Sequence, residues 1–196
     1  ARLVTLAALL VMGGCGGGGD DSSGLTSQSQ SPAPEAANAP APALPTAGTR
    51  ATCNLANFES GMLAAVNAHR MAGASCGSEG NFPAAAPLAW NDLLTQASLV
   101  HSDDMVASNV FSHTGSDGSS AGQRATAAGY AWRSLGENIA AGQSSVAGVM
   151  EAWMASPGHC ANIMRASYKD IGVACVSGGA GNTYRSYWTM SLGLAR

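Results

Sequence analysis

The chain carries little charge and has no cluster of basic residues. Of its 196 residues only 11% are charged, and the formal net charge is −3. A protein that binds DNA or RNA along the phosphates needs a basic face, so this composition argues against a nucleic-acid partner. The apolar content of 46% is that of a globular chain, and the length allows one domain of ordinary size or slightly more.

The sequence also lacks the short motifs that mark common catalytic sites. It has no HExxH helix and no phosphate-cradling glycine loop. The segment GASCG at residues 73–77 formally matches G-x-S-x-G. A nucleophile elbow needs a strand before its serine, whereas Ser75 follows a helical pattern and adjoins Cys76. We therefore do not expect a serine hydrolase site here.

The N-terminal apolar run is too short to span a bilayer. Residues 1–15, ARLVTLAALLVMGGC, are typical of a signal peptide. The small residues Gly13 and Gly14 before Cys15 resemble the bacterial lipobox, in which a diacylglycerol is joined to the cysteine. We therefore predict lipidation at Cys15. The alternative is a signal peptide that is cleaved nearby, with no role for this cysteine.

A low-complexity segment follows the predicted lipidation site. Residues 16–52 are rich in glycine, serine and Ala-Pro pairs, which predicts a disordered tether. The folded domain is then predicted over residues 53–196. This arrangement predicts an extracytoplasmic protein, either a cell-envelope lipoprotein or a secreted one, which touches the membrane only through its lipid anchor.

Four cysteines remain in the predicted domain, and an exported protein is expected to hold them as disulfides. Four cysteines allow three pairings. We predict pairing between sequence neighbours, Cys53 with Cys76 and Cys160 with Cys175, because it closes two local loops. A four-cysteine zinc site is the alternative, but the sequence has no C-x₂₋₄-C pair to hold two ligands on one turn.

Apolar residues spaced three and four apart predict helices in the first part of the domain. The C-terminal segments DIGVACVS and RSYWTMSLGLA, separated by the turn GGAGNT, predict an antiparallel hairpin. Helices followed by a small sheet indicate an α+β fold. The predicted helices cover the stripe Leu55, Phe58, Met62, Val66, His69, the stripe Leu94, Ala97, His101, Met105, Ser108, and residues 119–128 and 145–155.

Few side chains are candidates for chemistry. His113 and His159 lie where periodic segments give way to glycine-rich chain, and Glu137 stands in an apolar context in which an acid needs a partner. His69 and His101 lie on helical stripes, so we interpret them as half-buried rings satisfied by a neighbour. Two histidines and a carboxylate can bind zinc or share protons near neutral pH. The alternative is three separate polar residues that stabilise loop ends.

Seven segments resemble the bacterial branch of the CAP superfamily, which includes cysteine-rich secretory proteins, insect venom antigen 5 and plant pathogenesis-related proteins. The resemblance runs from about Phe58 to Gly193 and implies a three-layer α-β-α sandwich with a small antiparallel sheet. The segments are, in order, VNAHR, PLAWNDLLTQASLVHSDDM, FSHTGSDGS, GENIAAG, AWMASPGHCANIM, YKDIGVAC and YWTMSLG.

The resemblance also implies a site. In the family, the histidine of FSH, the glutamate of GEN and the histidine of GH converge on a surface cavity that holds zinc or another divalent cation in some members. Here these residues are His113, Glu137 and His159, with the two histidines as the metal ligands. Many eukaryotic members add a glutamate shortly before the GH histidine. Ser156 stands near that place and Glu151 lies further upstream, so one carboxylate is missing.

The family resemblance implies binding more strongly than catalysis. Its members are described as binders of sterols or fatty acids, as signalling or defence proteins, and only rarely as proteases, and fold alone does not fix function. We expect the protein to act by binding a small apolar ligand, a divalent metal or an envelope partner. The alternative is a metal-assisted or His/Glu hydrolase that acts on envelope peptides or glycans.

Overall fold

The computed structural model describes residues 51–196. The predicted signal peptide, the predicted lipidation site Cys15 and the predicted tether up to residue 50 lie outside the described residues. Within residues 51–196, no helix has the length and apolar content needed to cross a membrane. Ala51 is buried at the start of the described chain, where it packs beside Ala174 and Val176.

Five α-helices are present in residues 51–196, and four of them match the helices predicted from apolar spacing. The side chain of Asn91 caps the second helix, and a capping box between Ser120 and Gln123 begins the third. The sequence did not predict the fifth, which begins at Pro157 and carries His159. The helices are α1 (Phe58–Ala72), α2 (Asp92–Ser108), α3 (Ala121–Ala127), α4 (Val146–Ala155) and α5 (Pro157–Met164).

The main sheet has four strands. The two C-terminal strands, β5 (Asp170–Ser177) and β6 (Ser186–Ala195), form the predicted antiparallel hairpin. Strand β5 also pairs with β3 (Ala89–Trp90), and β6 also pairs with β4 (Trp132–Ala141). The strand order is therefore β3-β5-β6-β4. Strand β3 is parallel to β5, whereas β4 and β6 are antiparallel. Two further strands pair with each other outside this sheet. The strands are β1 (Ala74–Ser75), β2 (Asn81–Phe82), β3 (Ala89–Trp90), β4 (Trp132–Ala141), β5 (Asp170–Ser177) and β6 (Ser186–Ala195).

Helices cover both faces of this sheet, as the strand alternation of β5 shows. Ile171, Val173 and Cys175 pack in the large core formed with α1, α4 and α5. Ala174 and Val176 point the other way and pack on the face that α2 covers. The α+β class and the three-layer α-β-α arrangement predicted from the sequence are therefore confirmed.

Helix α2 lies unusually close to the sheet because the facing side chains are small. Ser98 Oγ donates a hydrogen bond to the carbonyl of Gly172 at 3.1 Å and accepts one from the Ser191 hydroxyl at 2.9 Å. A Cβ atom at Gly172 would overlap backbone atoms of Leu94 and Thr95. Only glycine permits this approach between helix and strand.

We expect Gly172→Ala to lower the free energy of unfolding by about 1–3 kcal/mol, because α2 must move away from β5. Urea denaturation of the variant and the parent protein measures the change. Gly61→Ala in α1 is the control, since a Cβ there meets nothing within 4 Å and alanine favours helix. Equal stability of the Gly172 variant and the parent would contradict the proposed close packing.

The predicted cysteine pairing is wrong. All four cysteines are in disulfides, but Cys53 is bonded to Cys175 and Cys76 to Cys160. The segment at residue 52 runs parallel to the end of β5, and the backbone N–H of Cys53 donates to the carbonyl of Cys175 at 2.9 Å. Cys53 and Cys175 are thus neighbours in the sheet although they are far apart in sequence. A prediction that favours the shortest disulfide loops cannot detect such a pair. The bond from Cys160 ties the helix of His159 to the segment after α1 rather than to the sheet.

Candidate functional site

Glu137 on β4 is the centre of a polar cluster. Its side chain is only 6% exposed. Its Oε1 accepts a hydrogen bond from His113 Nδ1 at 2.9 Å, and its Oε2 accepts one from Arg124 Nη2 at 2.7 Å. Both carboxylate oxygens therefore have charged or polar partners. The apolar sequence around Glu137 predicted that a buried acid there would need a partner, and these two hydrogen bonds supply it.

The surroundings of Glu137 keep it ionised. Burial opposes the charge, but the hydrogen bond from His113, the nearby His101 ring and the charge and hydrogen bond of Arg124 together outweigh it. The pKa of the Glu137 carboxyl therefore lies below its usual value. The site holds a fixed negative charge at neutral pH.

Arg124 on α3 is a site residue that the sequence analysis missed. Its side chain is 4% exposed. Besides Glu137, its guanidinium donates to the carbonyl of Ser119 at 2.8 Å and to the carbonyl of His113 at 3.1 Å. It therefore fixes the chain between His113 and α3 against β4. The sequence indicated that the Glu137 carboxylate needs a partner, but it did not indicate which cationic residue meets it.

His101 on α2 was interpreted as a ring satisfied by a neighbour, and it also reaches the cluster. It is fully buried, and its Nε2 contacts the carbonyl of Ser112 at 2.9 Å. A carbonyl only accepts, so Nε2 carries a proton. The same nitrogen lies 3.8 Å from Glu137 Oε1. Burial lowers the pKa of His101, which favours the neutral ring at neutral pH.

His113 differs from His101 because its side chain is 57% exposed. Its Nδ1 must donate to the ionised Glu137, so the neutral ring keeps its lone pair on Nε2. A carboxylate that orients an imidazole in this way makes the other nitrogen a better base and a better metal ligand. His113 thus presents a polarised nitrogen to solvent.

His159 is the third residue of α5 rather than part of a loop. Its ring is half-buried, and burial, together with the neighbouring charge of His113, lowers the pKa of His159. The carbonyl of His159 accepts a hydrogen bond from Asn138 Nδ2 at 3.0 Å, which joins α5 to β4 next to Glu137.

His159 opens onto a small recess of about 270 Å³. Its walls include the apolar side chains of Phe111, Ile139, Trp153 and Tyr184. Phe111 is 44% exposed and packs edge to face on Tyr184. The recess therefore combines an imidazole with aromatic and aliphatic walls, which is typical of small-ligand sites.

At this site the two imidazoles are the donors left for a divalent metal. Both Glu137 oxygens are engaged, so Glu137 supports His113 rather than offering itself as a ligand. Ser156 is the N-cap of α5, and Glu151 is exposed on α4. In the described part of the chain, no group of three or more His, Cys, Asp or Glu residues could hold a metal ion. A four-ligand structural zinc site therefore does not fit these residues.

Acidification is expected to destabilise the domain through the groups around Glu137. The folded pKa of His101 lies below the ordinary value of 6.5, so the unfolded chain binds this proton first and stability falls as the pH drops below that value. Glu137 adds stability above its ordinary pKa of 4.5, and this contribution is lost as the pH falls further. Urea unfolding between about pH 8 and pH 5 tests the slope. His101→Gln should flatten it, and an unchanged slope in that variant would contradict this assignment.

Comparison with known proteins agrees with this fold. A model of the cysteine-rich secretory protein family, CAP, matches residues 63–192. The uncharacterized protein YkwD of Bacillus subtilis is 34% identical over 103 residues, which cover 53% of this chain and 38% of YkwD. The chain thus corresponds to well under half of that relative.

Solved structures show the same similarity. An extracellular protein of Bacillus anthracis that contains an SCP domain is 27% identical, with a TM-score of 0.49, over 56% of this chain and 34% of that one. An outer surface protein of Borrelia burgdorferi is 18% identical, with a TM-score of 0.52, over 57% of this chain and 80% of that one. The family match spans more than half of the sequence, and the chain belongs to the cysteine-rich secretory protein (CAP) family.

Proposed function

We propose that the protein is an extracytoplasmic, lipid-anchored CAP domain that acts by binding a ligand at His113, Glu137 and His159. Two disulfides in one small domain support an oxidising compartment. The signal-peptide-like run before Cys15 supports export and anchoring. Replacement of Cys15 by serine should release the protein from the membrane fraction, and unchanged retention would overturn the anchor.

One observation carries the binding proposal. The Nδ1 of the exposed His113 side chain is held by the buried carboxylate of Glu137, which leaves Nε2 for a ligand, and His159 lines a recess with aromatic and aliphatic walls. Such a recess suits a small ligand with an apolar body and one group that either accepts a proton or donates to an imidazole. An envelope component with that chemistry is the proposed partner.

A divalent cation is the second ligand class that these residues support. His113 and His159 would hold it, and Glu137 would orient His113 through the hydrogen bond at Nδ1. Two nitrogen ligands suit zinc better than calcium, because calcium prefers an all-oxygen shell. When bound, zinc would supply a Lewis-acidic centre at the mouth of the recess.

Calorimetry with zinc tests this part of the proposal. His113→Ala and His159→Ala should each abolish the heat of binding without unfolding the domain. Affinity should weaken as the pH falls, because protons compete for the same nitrogens, and the lowered pKa of His159 places its part of this loss below the ordinary histidine value. His69→Ala on α1 is the matched control. Identical weak heats for the parent and both site variants would mean that the cluster is structural, with the missing second carboxylate as the physical reason.

Hydrolysis of envelope peptides or glycans is the alternative, and the His113–Glu137 hydrogen bond favours it. A carboxylate that holds an imidazole through Nδ1 leaves Nε2 able to take a proton from water. If the purified protein hydrolyses such substrates and His113→Ala does not, the hydrolase hypothesis is established. Binding of the same compounds without turnover would support the binding module instead.

A further inference from the structure

An exposed apolar patch lies beside the recess of His159. It consists of Val110, Phe111 and Tyr184, which are 54%, 44% and 38% exposed. The rings of Phe111 and Tyr184 pack edge to face, with their centroids 5.9 Å apart. These three are half of the six large hydrophobic side chains that are exposed among residues 51–196. Such a concentration marks a surface that contacts another apolar surface.

The fold holds the apolar patch at the surface. Asn109 directly precedes it, and its Oδ1 accepts hydrogen bonds from the backbone N–H of Thr183 at 2.8 Å and from the Tyr187 hydroxyl at 3.1 Å. These bonds join the segment after α2 to the loop between β5 and β6. Tyr187 is fully buried, and Tyr184 packs edge to face on its ring. The patch therefore cannot turn inward without breaking these contacts.

The charges around the apolar patch suit an anionic lipid surface. Residues 106–112 and 178–186, which carry the patch, contain no Asp or Glu, and their one charged residue is Arg185. Arg185 is exposed and directly follows Tyr184. No Asp, Glu, Lys or Arg lines the adjoining recess. In a bilayer, aromatic rings lie at the level of the headgroups, where an arginine meets lipid phosphates.

The chain that leads from the predicted lipidation site enters the domain at the same end. Ala51, where the described chain begins, and Val106 belong to one apolar cluster beside the C-terminal half of β5. The carbonyl of Val106 accepts a hydrogen bond at 2.7 Å from Asn182, in the loop that also carries Tyr184. A lipid on Cys15 would therefore be joined to the domain at the end where the patch lies.

We propose that the apolar patch docks on the lipid surface of the membrane that anchors the protein. Its side chains enter the headgroup region, and Arg185 meets the phosphates of anionic lipids. The inference rests on the proposed anchor and adds a second contact to it, whereas the sequence predicted the lipid as the only membrane contact. The patch sets which end of the domain faces the bilayer.

Docking by the apolar patch would place the histidine site at the membrane surface. Phe111 and Tyr184 are also walls of the recess that His159 lines. His113 follows Phe111 by two residues. With the patch on the bilayer, the recess opens at the level of the headgroups. The ligand of the site is then a component of the membrane surface rather than of the surrounding solution.

Vesicle flotation of the full chain with Cys15→Ser tests the patch without the anchor. This protein should bind vesicles of phosphatidylcholine and phosphatidylglycerol. Adding Phe111→Ser and Tyr184→Ser should lower the partition coefficient by at least about tenfold, because binding scales with the apolar area that enters the bilayer. Leu93→Ser is the matched control, since Leu93 is 42% exposed but lies in the first turn of α2. No binding by the Cys15→Ser chain, or equal binding by the patch variant, would overturn the proposal.

Tryptophan fluorescence provides a second test that removes no apolar side chain. In the Cys15→Ser chain, Phe111→Trp should add emission that vesicles shift to the blue and that brominated lipids quench, whereas Leu93→Trp should not. Equal quenching of the two variants would contradict the docking surface. So would self-association of the Cys15→Ser chain that is lost in the patch variant, since it would assign the patch to a second copy. Every protein here lacks Cys15, so a failure of the anchor does not alter these results.

Discussion

Replacing Arg70 with leucine is expected to lower the free energy of unfolding by about 3–5 kcal/mol. Arg70 on α1 is fully buried. Its guanidinium donates to the carbonyls of Ala86 at 2.8 Å, Ile163 at 2.6 Å and Arg165 at 3.0 Å. These carbonyls belong to the end of α5 and to the segment before β3, and leucine would leave them buried without donors.

Chemical denaturation measures this effect, and Arg133→Leu is the control because Arg133 is exposed on β4. The control is expected to change stability by less than about 0.5 kcal/mol. Since Arg70 holds the C-terminal end of the helix that carries His159, zinc or ligand binding should also weaken in the Arg70 variant at temperatures where it stays folded. A loss of stability similar to that of the control would contradict the role of Arg70.

Glu137→Gln is expected to cost about 3 kcal/mol or more, because Arg124 would remain buried without its charge partner. The amide can still accept from His113, but it offers no negative charge to the guanidinium. Thermal or urea unfolding gives the loss. Glu151→Gln on α4 is the control, since that carboxylate is exposed.

The double variant Glu137→Gln with Arg124→Met distinguishes an ion-pair effect from a general packing defect. Removing both charges should restore part of the stability lost in Glu137→Gln, because no buried charge is left unpaired. A double variant that loses the sum of the two single losses would contradict the ion pair between Glu137 and Arg124.

Helices α1 to α4 and the C-terminal hairpin could be predicted from apolar spacing, whereas helix α5 and strand β4 could not. The apolar stripe of α1 identifies Phe58, Met62 and Val66 correctly, but its fourth buried position is Arg70 rather than His69. Helix α5 has only eight residues and begins with Pro-Gly. Strand β4 contains Gly136, Glu137 and Asn138, which interrupt the pattern of a strand. Their positions depend on tertiary partners, which no local pattern contains.

The candidate site shows the same division. His113, Glu137 and His159 could be selected because polar residues in apolar or glycine-rich surroundings require an explanation. His101 and Arg124 could not, because what sets them apart is contact with a carboxylate on another element. The disulfides fail for a similar reason, since residue 52 and Cys175 become neighbours only through the sheet.

Long-range ¹H–¹⁵N NMR of the His113 ring tests the central claim most directly. That claim is that Glu137 holds His113 through Nδ1 and leaves Nε2 free for a ligand. In the neutral form of the ring, the parent protein should show a protonated Nδ1 and an unprotonated Nε2, and added zinc should shift the Nε2 signal. Glu137→Ala, which removes the acceptor of His113 Nδ1, should abolish this preference. A parent protein with its proton on Nε2, or identical tautomers in the parent and the variant, would contradict the account.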